Sequence, residues 1–145
     1  MILLDTNVLS ELMRPKPDPA VVAWLDAQSV DDLHICAITV AEILYGIARM
    51  PDGKRKQALH DLALAMFEED FSGNILPFDT DAAVHYAELV AASEARGKIA
   101  DMADGQIAAI ARLNGAQIAT RNVRHFESFG VPLIDPWKGW AVGTL

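Results

Sequence analysis

Five short apolar runs, Met1–Leu4, Leu33–Ala37, Ile75–Phe78, Gln117–Thr120 and Val131–Ile134, alternate with longer segments of helical periodicity, and this alternation constrains the fold of the chain most. The helical segments are Val8–Met13, Pro19–Gln28, Ile43–Ala48, Lys54–Phe71, Asp79–Arg96 and Asp101–Asn114, with a short helical turn at Asn122–Phe129. Pro51-Asp52-Gly53 makes a turn, while Gly73-Asn74, Gly97 and Asn114-Gly115 act as helix stops. Thr39-Val40-Ala41-Glu42 has the form of a capping box ahead of Ile43. Short buried strands alternating with helices predict an α/β sandwich around a mainly parallel sheet. At 145 residues the chain fits one compact domain, 1–145, without repeats or a polar linker.

With 52% hydrophobic residues the chain has ample apolar surface for one core. The N-terminal apolar run is cut short by Asp5, too early for a signal peptide or a membrane span, so the expected location is the cytoplasm. Cys36, the single cysteine, has no intrachain partner and reads as a small core residue. A net charge of −8 argues against a nucleic-acid binder held by a broad basic face. That objection weakens if several carboxylates converge on a divalent cation, which reverses the local charge.

In parallel sheets, ligand sites lie beyond the carboxyl ends of the strands. Asp5 follows the first strand, Glu42 starts the helix after the second, Thr120 and Asn122 follow the fourth, and Asp104 lies near the start of the helix feeding that strand. Each acid alone also reads as a helix-start residue: Asp5 as an N-cap, Glu42 as half of the capping box, Asp101 and Asp104 at a helix dipole. Together they would raise one another's pKa, and a cation relieves that repulsion. An oxygen-rich set suits Mg²⁺ or Mn²⁺, and the scattered histidines offer no zinc site. The chain has no Gly-x-Ser-x-Gly elbow and no Walker-type phosphate loop. An acid-pocket phosphoreceiver would need paired acids at the first strand and a lysine directly after the fourth, and neither stands there.

Met1-Ile-Leu-Leu-Asp-Thr-Asn-Val8, Thr39-Val-Ala-Glu42, Ala103-Asp-Gly-Gln-Ile-Ala-Ala109 and Ala119-Thr-Arg-Asn-Val-Arg-His-Phe126 resemble, in order and spacing, PIN-domain proteins. The similarity is greatest to the VapC/FitB-like toxins of bacterial type II toxin–antitoxin pairs, and it runs to Ile134-Asp-Pro-Trp137. The resemblance implies a three-layer α/β/α sandwich with four to five strands. It also implies an Mg²⁺- or Mn²⁺-dependent endoribonuclease acting on RNA, restrained by a cognate antitoxin and expected as a homodimer. By position, Asp5, Glu42 and Asp104 match the three acidic metal ligands. Thr6 and Asn7 match residues that brace the first aspartate, and Thr120 matches a hydroxyl at the site. The last motif departs from the family pattern: Asn122 stands where relatives carry Asp, and His125 stands where many carry Asp before Phe. Asn122 can still orient a water, and Asp101, one turn before Asp104, is a candidate substitute acid. Arg121 and Arg124 are candidate contacts for substrate phosphates. The missing fourth acid keeps a second reading open, a PIN-like binding module with weak catalysis.

Overall fold

The computed structural model describes residues 1–141 and gathers the apolar runs into one six-stranded sheet of order β3-β2-β1-β4-β5-β6. The strands are β1 (Ile2–Leu4), β2 (Leu33–Cys36), β3 (Ile75–Leu76), β4 (Gln117–Ala119), β5 (Leu133–Asp135) and β6 (Trp140–Ala141). β1 to β5 pair in parallel, as expected, and β6, which none of the five apolar runs marks, adds an antiparallel edge against β5. The reversal before β6 is local. Trp137 N donates to the Asp135 carboxylate at 2.9 Å, Gly139 N donates to Asp135 O at 2.8 Å, and Gly139 takes φ 77°.

Helices α1 (Thr6–Leu12), α2 (Pro19–Asp26), α3 (Ala37–Ala48), α4 (Lys54–Ala65), α5 (Thr80–Ala95) and α6 (Met102–Asn114) cover the sheet. α4 runs on through a π-helical turn, Met66–Asp70, and the 122–129 segment forms two 3-10 turns, Val123–His125 and Glu127–Phe129. The period-two alternation of the strands sorts the core into two layers. Leu3, Cys36 and Ile118 face one cluster, packed with Ile107, Ile110 and Phe126. Leu4, Ile35 and Ala119 face the other, packed with Val8, Trp24, Ile43 and Phe67. In the first layer α5 and α6 approach closely at Gly105, where a Cβ would stand 2.9 Å from both Tyr86 Cε2 and Val90 Cγ2.

The capping-box expectation is corrected. α3 starts at Ala37 directly from the extended Cys36, without a side-chain cap. Thr39 is already inside the helix, and its buried hydroxyl stands 3.3 Å from Thr6 Oγ1 and 3.7 Å from Cys36 Sγ. The sheet runs from β1 outward through β2 and β3, then returns to the other side of β1 for β4 and β5. The resulting crevice lies between the carboxyl ends of β1 and β4, where an open parallel sheet binds its ligand.

Candidate functional site

Asp5 sits at that crevice, 5% exposed, as the N-cap of α1. Its Oδ1 accepts from Thr6 N at 2.8 Å, and its Oδ2 accepts from Thr120 Oγ1 at 2.8 Å and Asn7 Nδ2 at 3.1 Å. Thr120 is fully buried. Its hydroxyl donates to Asp5 and accepts from Asn7 Nδ2 at 3.2 Å and Asn122 N at 3.0 Å, which uses its whole hydrogen-bonding capacity. Asn7 Oδ1 accepts from Arg121 N at 3.2 Å, so the same amide ties β1, β4 and the turn after β4 together. A strand end followed by Asp-Thr-Asn therefore builds a carboxylate whose orientation is set by three donors.

Glu42 reaches the same crevice from α3. Its Oε1 accepts from Thr6 Oγ1 at 2.7 Å, so Thr6 braces Asp5 through its backbone and Glu42 through its side chain. Asp104 comes from the first turn of α6, with Asp101 as the N-cap whose carboxylate accepts from Asp104 N at 3.4 Å. His125 Nδ1 lies 3.4 Å from Asp104 Oδ2. Asp5, Glu42, Asp101, Asp104 and Asn122 line one cleft of about 740 Å³. Arg121 lines it too, with its guanidinium stacked 5.0 Å from the Trp137 ring centroid. Arg124 lies outside this cleft, in an adjoining cavity.

The acids strain one another electrostatically. Burial pushes the Asp5 carboxyl above its ordinary range, hydrogen bonds from Thr120 and Thr6 pull it back, and Glu42 adds to the rise. Asp104 is pushed up to about 6 by burial, then by Asp5 and Asp101, with His125 opposing. Among the described residues, no three His, Cys, Asp or Glu side chains already stand as a closed metal site. The donor set nevertheless fits a hard divalent cation: its acids offer oxygen, and both the burial penalty and the mutual repulsion that raise the two aspartates are offset when positive charge enters.

Glu11, which none of the sequence motifs marks, lies on the face of α1 one turn beyond Asn7 and also lines the cleft. It is 5% exposed, with Arg14 Nη1 at 3.2 Å from each carboxylate oxygen and Asp18 N donating at 3.0 Å. The available signal was the i, i+4 spacing from Asn7 to Glu11 together with the i+3 arginine.

The family model described as PIN domain matches residues 2–131. VapC ribonuclease Y4jK of Sinorhizobium fredii is 46% identical over 138 residues, covering 95% of this chain and 99% of that protein. Toxin FitB of Neisseria gonorrhoeae is 43% identical over 137 residues, covering 94% of this chain and 99% of its own length. The crystal structure of FitAcB from Neisseria gonorrhoeae superposes with a TM-score of 0.89 at 43% identity, over 94% of this chain and 99% of that one.

Proposed function

Because this chain belongs to the PIN-domain family, we propose that it is a metal-dependent endoribonuclease, the toxin of a type II toxin–antitoxin pair. The observation that carries the chemistry is the convergence of Asp5, Glu42 and Asp104, from three separate elements, on one cleft. Residues 1–145 act as one such unit in the cytoplasm. No helix among the described residues is long and apolar enough to cross a membrane.

Asp5, Glu42 and Asp104 would hold Mg²⁺ or Mn²⁺, with Asn122 and Asp101 at the rim. The bound ion would supply Lewis acidity at the phosphodiester and offset charge that builds on its oxygens. The chain's own residues prepare that site. Thr120 and Asn7 fix the Asp5 carboxylate, Thr6 aims Glu42, and His125 Nδ1 stands 3.4 Å from Asp104 Oδ2. Arg121 holds a positive charge at the cleft edge for a substrate phosphate.

The cognate antitoxin is the proposed protein partner, on two grounds. The similar FitB is named a toxin, and an apolar groove of about 560 Å³ begins at Thr6 and Glu42 and continues along Met13, Ile43, Ile47 and Leu59. A partner segment lying in that groove would end at the acid cleft. A homodimer is expected as well, and sedimentation at micromolar concentration tests it.

The deciding experiment is Mn²⁺- and Mg²⁺-dependent cleavage of a mixed RNA pool by antitoxin-free protein, with Asp5→Asn as control. Cleavage that is lost in the variant and in EDTA supports the reading. Folded wild-type protein that cleaves no member of a broad panel favours a binding module, the reading to which Asn122, in place of an acid, lends weight.

A further inference from the structure

A second cavity, of about 760 Å³, opens onto the acid cleft and shares Asp101, Asp104 and His125 with it. Its far wall is the turn between α5 and α6, residues 96–100, and its near wall is the pair of 3-10 turns that carries Arg124. The far wall is an ordered structure. Gly97 takes φ 79°, and Lys98 N donates to Ser93 O at 3.0 Å. The fully buried Ser93 hydroxyl donates to Lys98 O at 2.9 Å and shares a 2.7 Å hydrogen bond with Ser128 Oγ. The Arg96 guanidinium donates to Ser128 O, which joins the two walls.

The cations of the molecule are used unequally. Arg14, Lys56 and Arg112 are ion-paired, Arg49 stacks on Tyr45, Arg121 stacks on Trp137, and Arg96 is committed to Ser128. Lys98 and Arg124 are exposed and, like Lys16, Lys54, Arg55 and Lys138, make no ion pair among the described residues; what sets these two apart is their place, on opposite walls of a cavity that leads to the proposed catalytic acids. A chain of net charge −8 that accepts a polyanion needs such cations beside the site. Asp101 and Glu127 line the cavity too, which keeps the attraction modest and salt-sensitive.

We propose that this cavity is the subsite for the stretch of RNA next to the scissile phosphodiester, with Lys98 and Arg124 contacting successive backbone phosphates. The proposal rests on the nuclease reading and extends it to the path of the substrate strand. It is tested by fluorescence anisotropy of a labelled single-stranded RNA in EDTA, where no cleavage occurs, followed by steady-state cleavage with Mn²⁺. The variants are Lys98→Gln, Arg124→Gln, their combination, and Lys54→Gln as a charge-matched control that lines neither cavity. Each lost phosphate contact should reduce the salt slope of log affinity by about 0.7 for a single strand. Between 50 and 200 mM salt, wild-type affinity should therefore fall about sevenfold more than that of the double variant. In cleavage, the double variant should raise KM and leave kcat near wild type, and Lys54→Gln should change neither. If the double variant binds and cleaves like wild type while Asp5→Asn abolishes cleavage, this subsite is wrong and the nuclease reading stands. If wild type neither binds nor cleaves RNA, both fall.

Discussion

The two walls of the acid cleft are built on different terms. On the sheet side, Asp5, Asn7 and Thr120 form a largely buried network in which the Thr120 hydroxyl and both atoms of the Asn7 amide are used. On the helix side, Glu42 rests on one hydroxyl and Asp104 touches a histidine at 3.4 Å. The first wall offers fixed geometry, and the second offers charge that can adjust. Catalytic sites need both, because a carboxylate held by several donors keeps its direction while exposed acids can move onto a cation or a phosphate.

The largest expected effect ignores this difference. Asp5→Asn and Asp104→Asn should each lower metal-dependent RNA cleavage by at least about a hundredfold, since a supporting contact around a metal ligand already costs 10–100-fold. Single-turnover cleavage at saturating Mn²⁺ measures it, and activity within a few-fold of wild type for either variant removes that acid from the site. Thr120→Val separates the walls. It preserves shape but strips Asp5 of a donor and leaves Asn122 N and the Asn7 amide without their buried partner. The expected cost is about 1–3 kcal/mol of stability, read by urea unfolding. Thr6→Val, on the more open side, should cost less than half of that. Equal losses would erase the distinction between the walls.

The sheet wall was legible in the sequence because a strand end is marked locally: Leu4-Asp5 and Ala119-Thr120 lie where apolar runs stop. The helix wall was located through its acids, while the capping-box alternative offered for Glu42 fails. A Thr-x-x-Glu pattern signals a capping box when the helix begins at the threonine, but here α3 begins at Ala37 and tertiary contacts with Thr6 occupy both side chains. Glu11 escaped notice because its neutralising partners, Arg14 and Asp18 N, depend on how the chain bends after α1. β6 escaped because a two-residue edge strand carries no periodicity, and its register is set by the Asp135 turn.

A smaller effect follows from the raised Asp104 carboxyl. Its folded-state value of about 6 lies above the ordinary 3.8, so the folded chain holds that proton more tightly than the unfolded chain does. The associated stabilisation is complete below pH 4 and is lost as pH rises toward 6. Asn carries no charge at any of these values. The metal-free Asp104→Asn variant should therefore equal wild type near pH 4 and exceed it at pH 7 by on the order of 1 kcal/mol, allowing for solvent screening. Denaturant unfolding in EDTA at the two pH values checks the sign. A variant no more stable than wild type at pH 7 would show that neither burial nor the neighbouring acids penalise the Asp104 charge.

The smallest effect is expected at Asn122, and it sharpens the comparison most. Its side chain is exposed on the adjustable side, while its backbone N–H belongs to the fixed network through Thr120. Asn122→Asp adds a charge to the cleft without disturbing that backbone bond. In EDTA the extra repulsion should lower stability by a few tenths of a kcal/mol, as befits an exposed like-charge contact. With Mn²⁺ the sign should reverse, because each added carboxylate deepens the potential seen by a divalent ion. The rise in melting temperature on Mn²⁺ addition should thus be larger for Asn122→Asp than for wild type, and larger at 20 mM than at 500 mM NaCl. An equal rise at both salt concentrations would mean that position 122 contributes no field at the cation, and that the cleft needs only the three acids it already has.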